Sequence, residues 1–231
     1  MGTLKKIVIL HGWTYSLDKW KNFTDLLKES GFEVYLPKIP GLTRDSEEFW
    51  NLDKYVEWLN KELEKYQDKF ILLGHSNGGR IAIKFALKYP NKLEKLILID
   101  SAGIFHNELP IKLKRIVFKN ISKIGKKFTK SDILRKVLYK FAREGDYANA
   151  SENMKKTIAD LINTDLRSVL GEIKIPTQII WGENDQITSI DDAYLMNKLI
   201  KRSKLFIVNG ARHSPFYTNS EEVVKIIKND I

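Results

Sequence analysis

Residues Phe70 to Arg80 constrain this chain more than any other stretch. Phe70-Ile71-Leu72-Leu73 is an unbroken apolar run, the pattern of a strand buried on both faces. Gly74-His75-Ser76-Asn77-Gly78-Gly79 follows at once, and from there Ile81, Ala82, Phe85 and Ala86 recur at helical spacing until Pro90. A strand that becomes a helix over so few residues needs a very sharp turn. Serine stands at its apex, and glycines on either side let neighbouring elements pass close, which is the G-x-S-x-G pattern. A serine in such a turn sits in strained backbone. Its hydroxyl is pushed clear of the sheet at a helix N-terminus, where the dipole favours developing negative charge. An incidental serine in a glycine-rich connection would give the same five letters; the strand before and the helix after supply the context that the chemistry requires.

The rest of the chain repeats the strand-helix alternation. Apolar strands are expected at residues 6–10, 32–36, 93–99, 177–181 and 205–208, besides the one at 70–73. Amphipathic helices are expected at 17–30, 52–66, 191–200 and 220–228, the last with Ser220 as N-cap ahead of Glu221 and Glu222. Such alternation means right-handed βαβ units and a parallel sheet. It stops between the fourth and fifth strands. Residues from about 105 to 163 read as helix throughout, in segments at 111–124, 131–143 and 151–162. The domain reading is therefore a core of residues 1–103 and 165–231 interrupted by a helical insertion at 104–164.

Composition narrows the chemistry. The chain has 231 residues and no cysteine, which excludes a thiol nucleophile, a disulfide framework and cysteine-ligated metal. The net charge is +10, and residues 103–170 carry +8 of it, from fifteen Lys or Arg against seven Asp or Glu. These cations alternate with isoleucine and leucine at helical spacing. They are read as a solvated helix surface, with neither a nucleic acid nor a membrane as partner. No apolar run reaches the ~18 residues of a membrane span, and the first residues run into a strand rather than a signal segment, so a cytoplasmic protein is expected.

A serine hydroxyl becomes a nucleophile only when a base takes its proton and a third group orients the base. Four histidines are available. His75 sits inside the turn and is read as pointing away from Ser76. His11 opens the break after the first strand and supports that loop, and His106 begins the insertion, exposed. His213 lies in Gly210-Ala211-Arg212-His213-Ser214-Pro215-Phe216 after the last strand, on the same sheet edge as Ser76, and is the expected base. The acid should fall between serine and histidine in chain order. Asp185, in Trp181-Gly182-Glu183-Asn184-Asp185, is the first choice; Asp100, ending the fourth strand, and Glu183 compete with it. The oxyanion needs two preorganised N–H donors, assigned to the backbones of Trp13 and Asn77. Pocket walls are sought among Trp13, Phe105 and Phe216, and in the insertion among Ile104, Leu113, Val117, Leu138, Phe141, Leu161 and Ile162. Arg80 opens the helix after the turn and is read as packing or ion-paired, with a buried anion-binding role as the alternative.

These ordered motifs resemble the α/β-hydrolase superfamily, in the cap-bearing branch of small carboxylesterases and carbon–carbon bond hydrolases. The likeness rests on His11-Gly12-Trp13, Gly74 to Gly79, Leu96 to Gly103, Ile175-Pro176 through Asp185, and Gly210 to Pro215. It implies an α/β-hydrolase fold: a six-stranded, mostly parallel sheet flanked by helices, with an all-helical cap and without the usual N-terminal antiparallel hairpin. It implies a Ser76-His213-Asp185 triad, no cofactor and no metal. The activity it implies is serine hydrolysis of small soluble carboxylic esters through an acyl-enzyme. A carbon–carbon hydrolase of the meta-cleavage-product type and a non-catalytic ligand receptor on the same scaffold are the alternatives. The family's Pro-Gly-x-Gly-x-Ser turn appears here only in degenerate form, as Pro40-Gly41-Leu42-Thr43-Arg44-Asp45-Ser46. Acyl preference, leaving group and oligomeric state are not legible in the sequence.

Overall fold

A computed structural model describes residues 4–14, 16–106 and 151–230. The helices expected at 111–124 and 131–143 lie outside the described residues, as do Leu113, Val117, Leu138 and Phe141. Six strands form one sheet: β1 (Lys5–Leu10), β2 (Phe32–Tyr35), β3 (Phe70–His75), β4 (Leu93–Ile99), β5 (Thr177–Gly182) and β6 (Ser203–Val208). Their order is β2-β1-β3-β4-β5-β6, and every pairing is parallel.

The apolar runs are continuous because both faces of the sheet are covered. Side chains alternate between two cores, as the strand period of two requires. Val8, Leu10, Leu72, Leu96 and Leu98 face one core with helices α2 (Leu52–Glu62) and α3 (Asn77–Lys88). Ile7, Ile9, Ile71, Leu73, Ile97 and Ile99 face the other, with α1 (Lys21–Glu29). After β6 the chain forms a single helical turn, α6 (Pro215–Thr218), then α7 (Ser220–Asn229), which packs beside α1. Between β5 and β6 lies α5 (Ile190–Leu199), on the first face. Helix α4 (Glu152–Asn163) belongs to the expected insertion. Its N-cap Ser151 accepts from Met154 N–H, and Met154, Ile158 and Leu161 are buried. It docks on the loop before α2, where Thr157 Oγ1 accepts from Trp50 N–H at 2.8 Å.

Some boundaries depart from the sequence reading. The helix expected from Leu17 begins as a 3₁₀ turn at Asp18–Trp20, and α2 ends at Glu62 rather than Tyr66. Ser220 is not an N-cap: its Oγ donates back to Phe216 O at 2.7 Å, which ties α7 to α6.

Strand order fixes where a site can form. From β1 the chain moves outward to β2, then returns to place β3 on the other side of β1. The loops after β1 and β3 therefore leave the sheet in opposite directions and open a crevice at the carboxyl edge. At that crevice α3 begins in direct contact with the end of β1. A Cβ on Gly78 would lie 2.1 Å from Leu10 O and 2.6 Å from His11 O, both backbone atoms that cannot yield cheaply. Gly78→Ala should therefore lower the urea midpoint by an amount corresponding to about 1–3 kcal/mol. Gly171→Ala, whose added Cβ meets nothing closer than 3.8 Å, should leave the midpoint near the starting value.

Candidate active site

Ser76 occupies the apex of the turn between β3 and α3 with φ 52° and ψ −120°, a left-handed backbone that a residue with a side chain rarely adopts. The surroundings hold it there. Its N–H donates to Ile99 O at 3.2 Å, and its C=O accepts from Gly79 N–H at 3.0 Å and Ala102 N–H at 2.9 Å. The end of β4 thus grips both sides of the strained residue.

Three loops from one sheet edge converge on this serine. His213, after β6, places Nε2 3.0 Å from Ser76 Oγ and Nδ1 2.7 Å from Asp185 Oδ2. A carboxylate can only accept, so Nδ1 carries the proton and Nε2 accepts from the serine hydroxyl. Asp185 follows β5, and its side chain is fully buried. Burial alone would raise its pKa. The bonds from His213, from Thr188 Oγ1 (2.6 Å) and from Ile187 N–H (2.6 Å) outweigh that and hold the carboxyl below the usual carboxylate range.

Asp100, the competing acid, is also close, at φ 42° just past β4. It makes no hydrogen bond to His213. Its Oδ1 accepts from Gly182 N–H at 2.8 Å, while its Oδ2 is buried without a partner among the described residues. Burial first, and the neighbouring Asp185 charge second, push its pKa well above the ordinary value. The environment therefore pushes the two carboxyls in opposite directions, Asp185 toward the ionised form and Asp100 away from it. Glu183, the third candidate, faces elsewhere and accepts from Gly210 N–H.

Burial holds two other histidines, His75 and His11, neutral. His75, expected to point away from the serine, bonds to the base loop. Its Nε2–H donates to His213 O at 2.7 Å, its ring meets Trp20 edge-on, and burial pulls its pKa down to about 3. His11 donates from Nδ1 to Gly12 O and accepts at Nε2 from Thr43 Oγ1, each at 2.8 Å, with its pKa lowered to about 4 by burial. Thr43 Oγ1 in turn accepts from Ile39 N–H, which ties the loop after β1 to the loop after β2. His106 is exposed, as expected, and pairs with Asp192 at 2.6 Å. Donor atoms of His75, Asp100 and His213 lie within 4.8 Å of one another, a spacing that could suit a metal ion. Both ring nitrogens of His213 are already engaged, however, by Ser76 and Asp185.

The loop after β1 abuts the serine directly. A Cβ on Gly12 would lie 2.9 Å from Ser76 Cβ, so only glycine lets this backbone and the following Trp13 come so near. Asn77 is the first residue of α3, and its N–H has no intrahelical acceptor. Trp13 and Phe105 are half-buried beside the first core and at the edge of the insertion. Phe216 departs from the pocket role expected of it. The turn of α6 rotates its ring into the second core, where it stacks on Trp20 (centroids 3.7 Å apart) and meets His75 edge-on. It underlies the base loop rather than lining a cavity.

Asp100 makes a prediction about stability. Its pKa is raised on folding, so the wild-type chain loses stability as pH climbs from the unfolded value of ~3.9 toward the folded one. Asp100→Asn keeps the acceptor for Gly182 N–H and cannot ionise. Its urea midpoint should gain on that of the wild type as pH rises above ~4, at up to about 1.4 kcal/mol per pH unit until the folded carboxyl ionises.

Comparison with known proteins agrees with this architecture. The chain is 28% identical over 246 residues to the pimeloyl-[acyl-carrier protein] methyl ester esterase of Wigglesworthia glossinidia brevipalpis, spanning 96% of this chain and 92% of that protein. Among solved structures, a bromoperoxidase from Bacillus anthracis superimposes with a TM-score of 0.76 at 21% identity, covering 100% of this chain and 93% of that one. MenH from S. aureus superimposes with a TM-score of 0.73 at 24% identity, covering 99% and 94%. Both are likenesses of fold. The family described as serine aminopeptidase, S33, matches residues 3–220, nearly the whole length, and the chain belongs to that hydrolase family.

Proposed function

We propose that the chain is a carboxylic ester hydrolase that cleaves small esters through an acyl-enzyme, with Ser76 as nucleophile, His213 as base and Asp185 as acid. The continuous Ser76–His213–Asp185 hydrogen-bond chain at the sheet's switch point carries this reading. The resemblance to a methyl ester esterase over nearly the whole length supports an ester rather than another acyl compound as substrate.

In the first half-reaction Ser76 Oγ bonds to the ester carbonyl carbon as its proton passes to His213 Nε2. The imidazolium that forms is stabilised by the ionised Asp185 carboxylate. The carbonyl electron pair becomes an oxyanion between the N–H groups of Trp13 and Asn77, and collapses to expel the alcohol, which takes the proton from His213. Water repeats the sequence on the acyl-serine and releases the acid. Trp13 and Phe105, both half-buried, stand at the wall of the acyl pocket. No step calls on a cofactor. Neutral His75 lies beside the pair, and burial opposes ionisation of the neighbouring Asp100.

Ser76→Ala should lower kcat/KM on p-nitrophenyl acetate and butyrate by about 10⁴-fold or more. Retention of most activity would refute the assignment. Asp185→Asn should cost far more than Asp100→Asn, about 10³-fold or more against less than tenfold, because only Asp185 is bonded to the base.

A further inference from the structure

One charged side chain beside the serine has no ion-pair partner among the described residues. Arg80 stands one turn into α3, and its side chain is buried, with the residue only 6% exposed. One guanidinium nitrogen, Nη1, donates to Asn77 Oδ1 at 3.2 Å. Nε is buried and has no hydrogen-bond partner among the described residues, and the same is true of Asn77 Nδ2. Asp165 is the carboxylate whose charge Arg80 feels, but it lies beyond ion-pair distance. It is already engaged by Phe105 N–H, Arg167 N–H and the Arg167 guanidinium.

Such a group is expensive to leave alone. A buried cation is normally neutralised by a partner, because a neutral amide oxygen cannot replace the water it has lost. Deprotonation is no escape: burial pulls the pKa down only to about 10, so Arg80 stays charged at neutral pH. Two buried side-chain donors, one of them cationic, thus stand within a helical turn of Ser76, with no acid among the described residues to meet them.

We propose that Arg80 and Asn77 form a seat for a carboxylate of the substrate, so that the preferred ester carries a free carboxylate on its acyl side, as in the monoester of a dicarboxylic acid. A planar guanidinium fork suits a carboxylate, and the Asn77 amide supplies a further donor. The seat lies one helical turn from the nucleophile, where residues three and four apart share a face. An acyl chain of a few carbons would then hold the ester carbonyl at Ser76 while its far end rests on Arg80. This rests on the hydrolase reading above, and adds to it a substrate class.

The test compares monomethyl succinate, glutarate and adipate with the corresponding dimethyl esters. Wild-type kcat/KM should favour one or more of the monoanions by tenfold or more. Arg80→Gln should lower the rate on the preferred monoester by ten- to a hundredfold and change the rate on its diester less than threefold; Arg80→Lys should recover part of the loss. Equal wild-type rates on monoester and diester would overturn the proposal. So would a parallel fall on both in Arg80→Gln, which would mean that Arg80 is paired within the chain and serves the fold.

Binding of the same monoesters to Ser76→Ala, measured by calorimetry, separates this proposal from the hydrolase reading. Arg80-dependent binding without turnover by the wild type would keep the seat and refute the hydrolase. Turnover of diesters with no Arg80-dependent binding would do the reverse. Inorganic phosphate serves as a competitor: competition by phosphate but not by glutarate would overturn the carboxylate assignment.

Discussion

The site depends on one backbone conformation, the left-handed Ser76 at the end of β3. Such a conformation costs on the order of 1–3 kcal/mol and survives only where its neighbours over-determine it. Here they do so from three directions. The end of β4 bonds both the N–H and the C=O of Ser76, Gly78 lets α3 press against the backbone of β1, and Gly12 brings the loop after β1 against Ser76 Cβ. Relaxing the turn would break β4's grip and open the contact with β1 together. The strain is therefore distributed over the centre of the sheet, its most buried part, rather than stored in a surface loop.

The elbow was legible because its causes are local. An unbroken apolar run, a glycine-flanked serine and a helical repeat are all adjacent in sequence, and each dictates its own piece of backbone. Chain order and sheet edge were enough to bring His213 to Ser76, since loops after parallel strands emerge on one side. The two candidate acids could not be separated in the same way. Asp100 and Asp185 both follow strands on that edge, and only Thr188 and Ile187, which turn back to bond Asp185, decide between them. Phe216 was misread because nearness in sequence to His213 suggested nearness to the cavity. Pro215 starts a helical turn that swings the next ring into the core. The partner of His75, His213 O, was not legible either: it lies 138 residues away and no local pattern announces it.

Those long-range contacts form a connected support. Trp20 stacks on Phe216, Phe216 meets His75 edge-on, and His75 bonds the carbonyl of His213. The 3₁₀ turn before α1, the strand carrying the nucleophile and the loop carrying the base are joined by this one aromatic stack. It explains why a stretch read as an amphipathic helix begins instead as a 3₁₀ turn at Asp18–Trp20. The tighter winding accompanies the burial of the Trp20 ring beneath the site, while α1 keeps the remaining apolar face on the second core.

The same burial sorts the charges. Desolvation opposes ionisation of every titratable group beneath the crevice, and for His11, His75 and Asp100 it wins. Asp185 escapes because Thr188, Ile187 and His213 supply the hydrogen bonds that desolvation removed. The result is that ionisation is favoured at Asp185 and opposed at His11, His75 and Asp100 around it. In such surroundings an imidazolium at His213 has one strong counter-charge and few competing ones, so proton movement from Ser76 is directed along one axis. Arg80 stands apart from these groups, on the α3 side. It is a buried charge to which the protein's described residues give no equal and opposite partner.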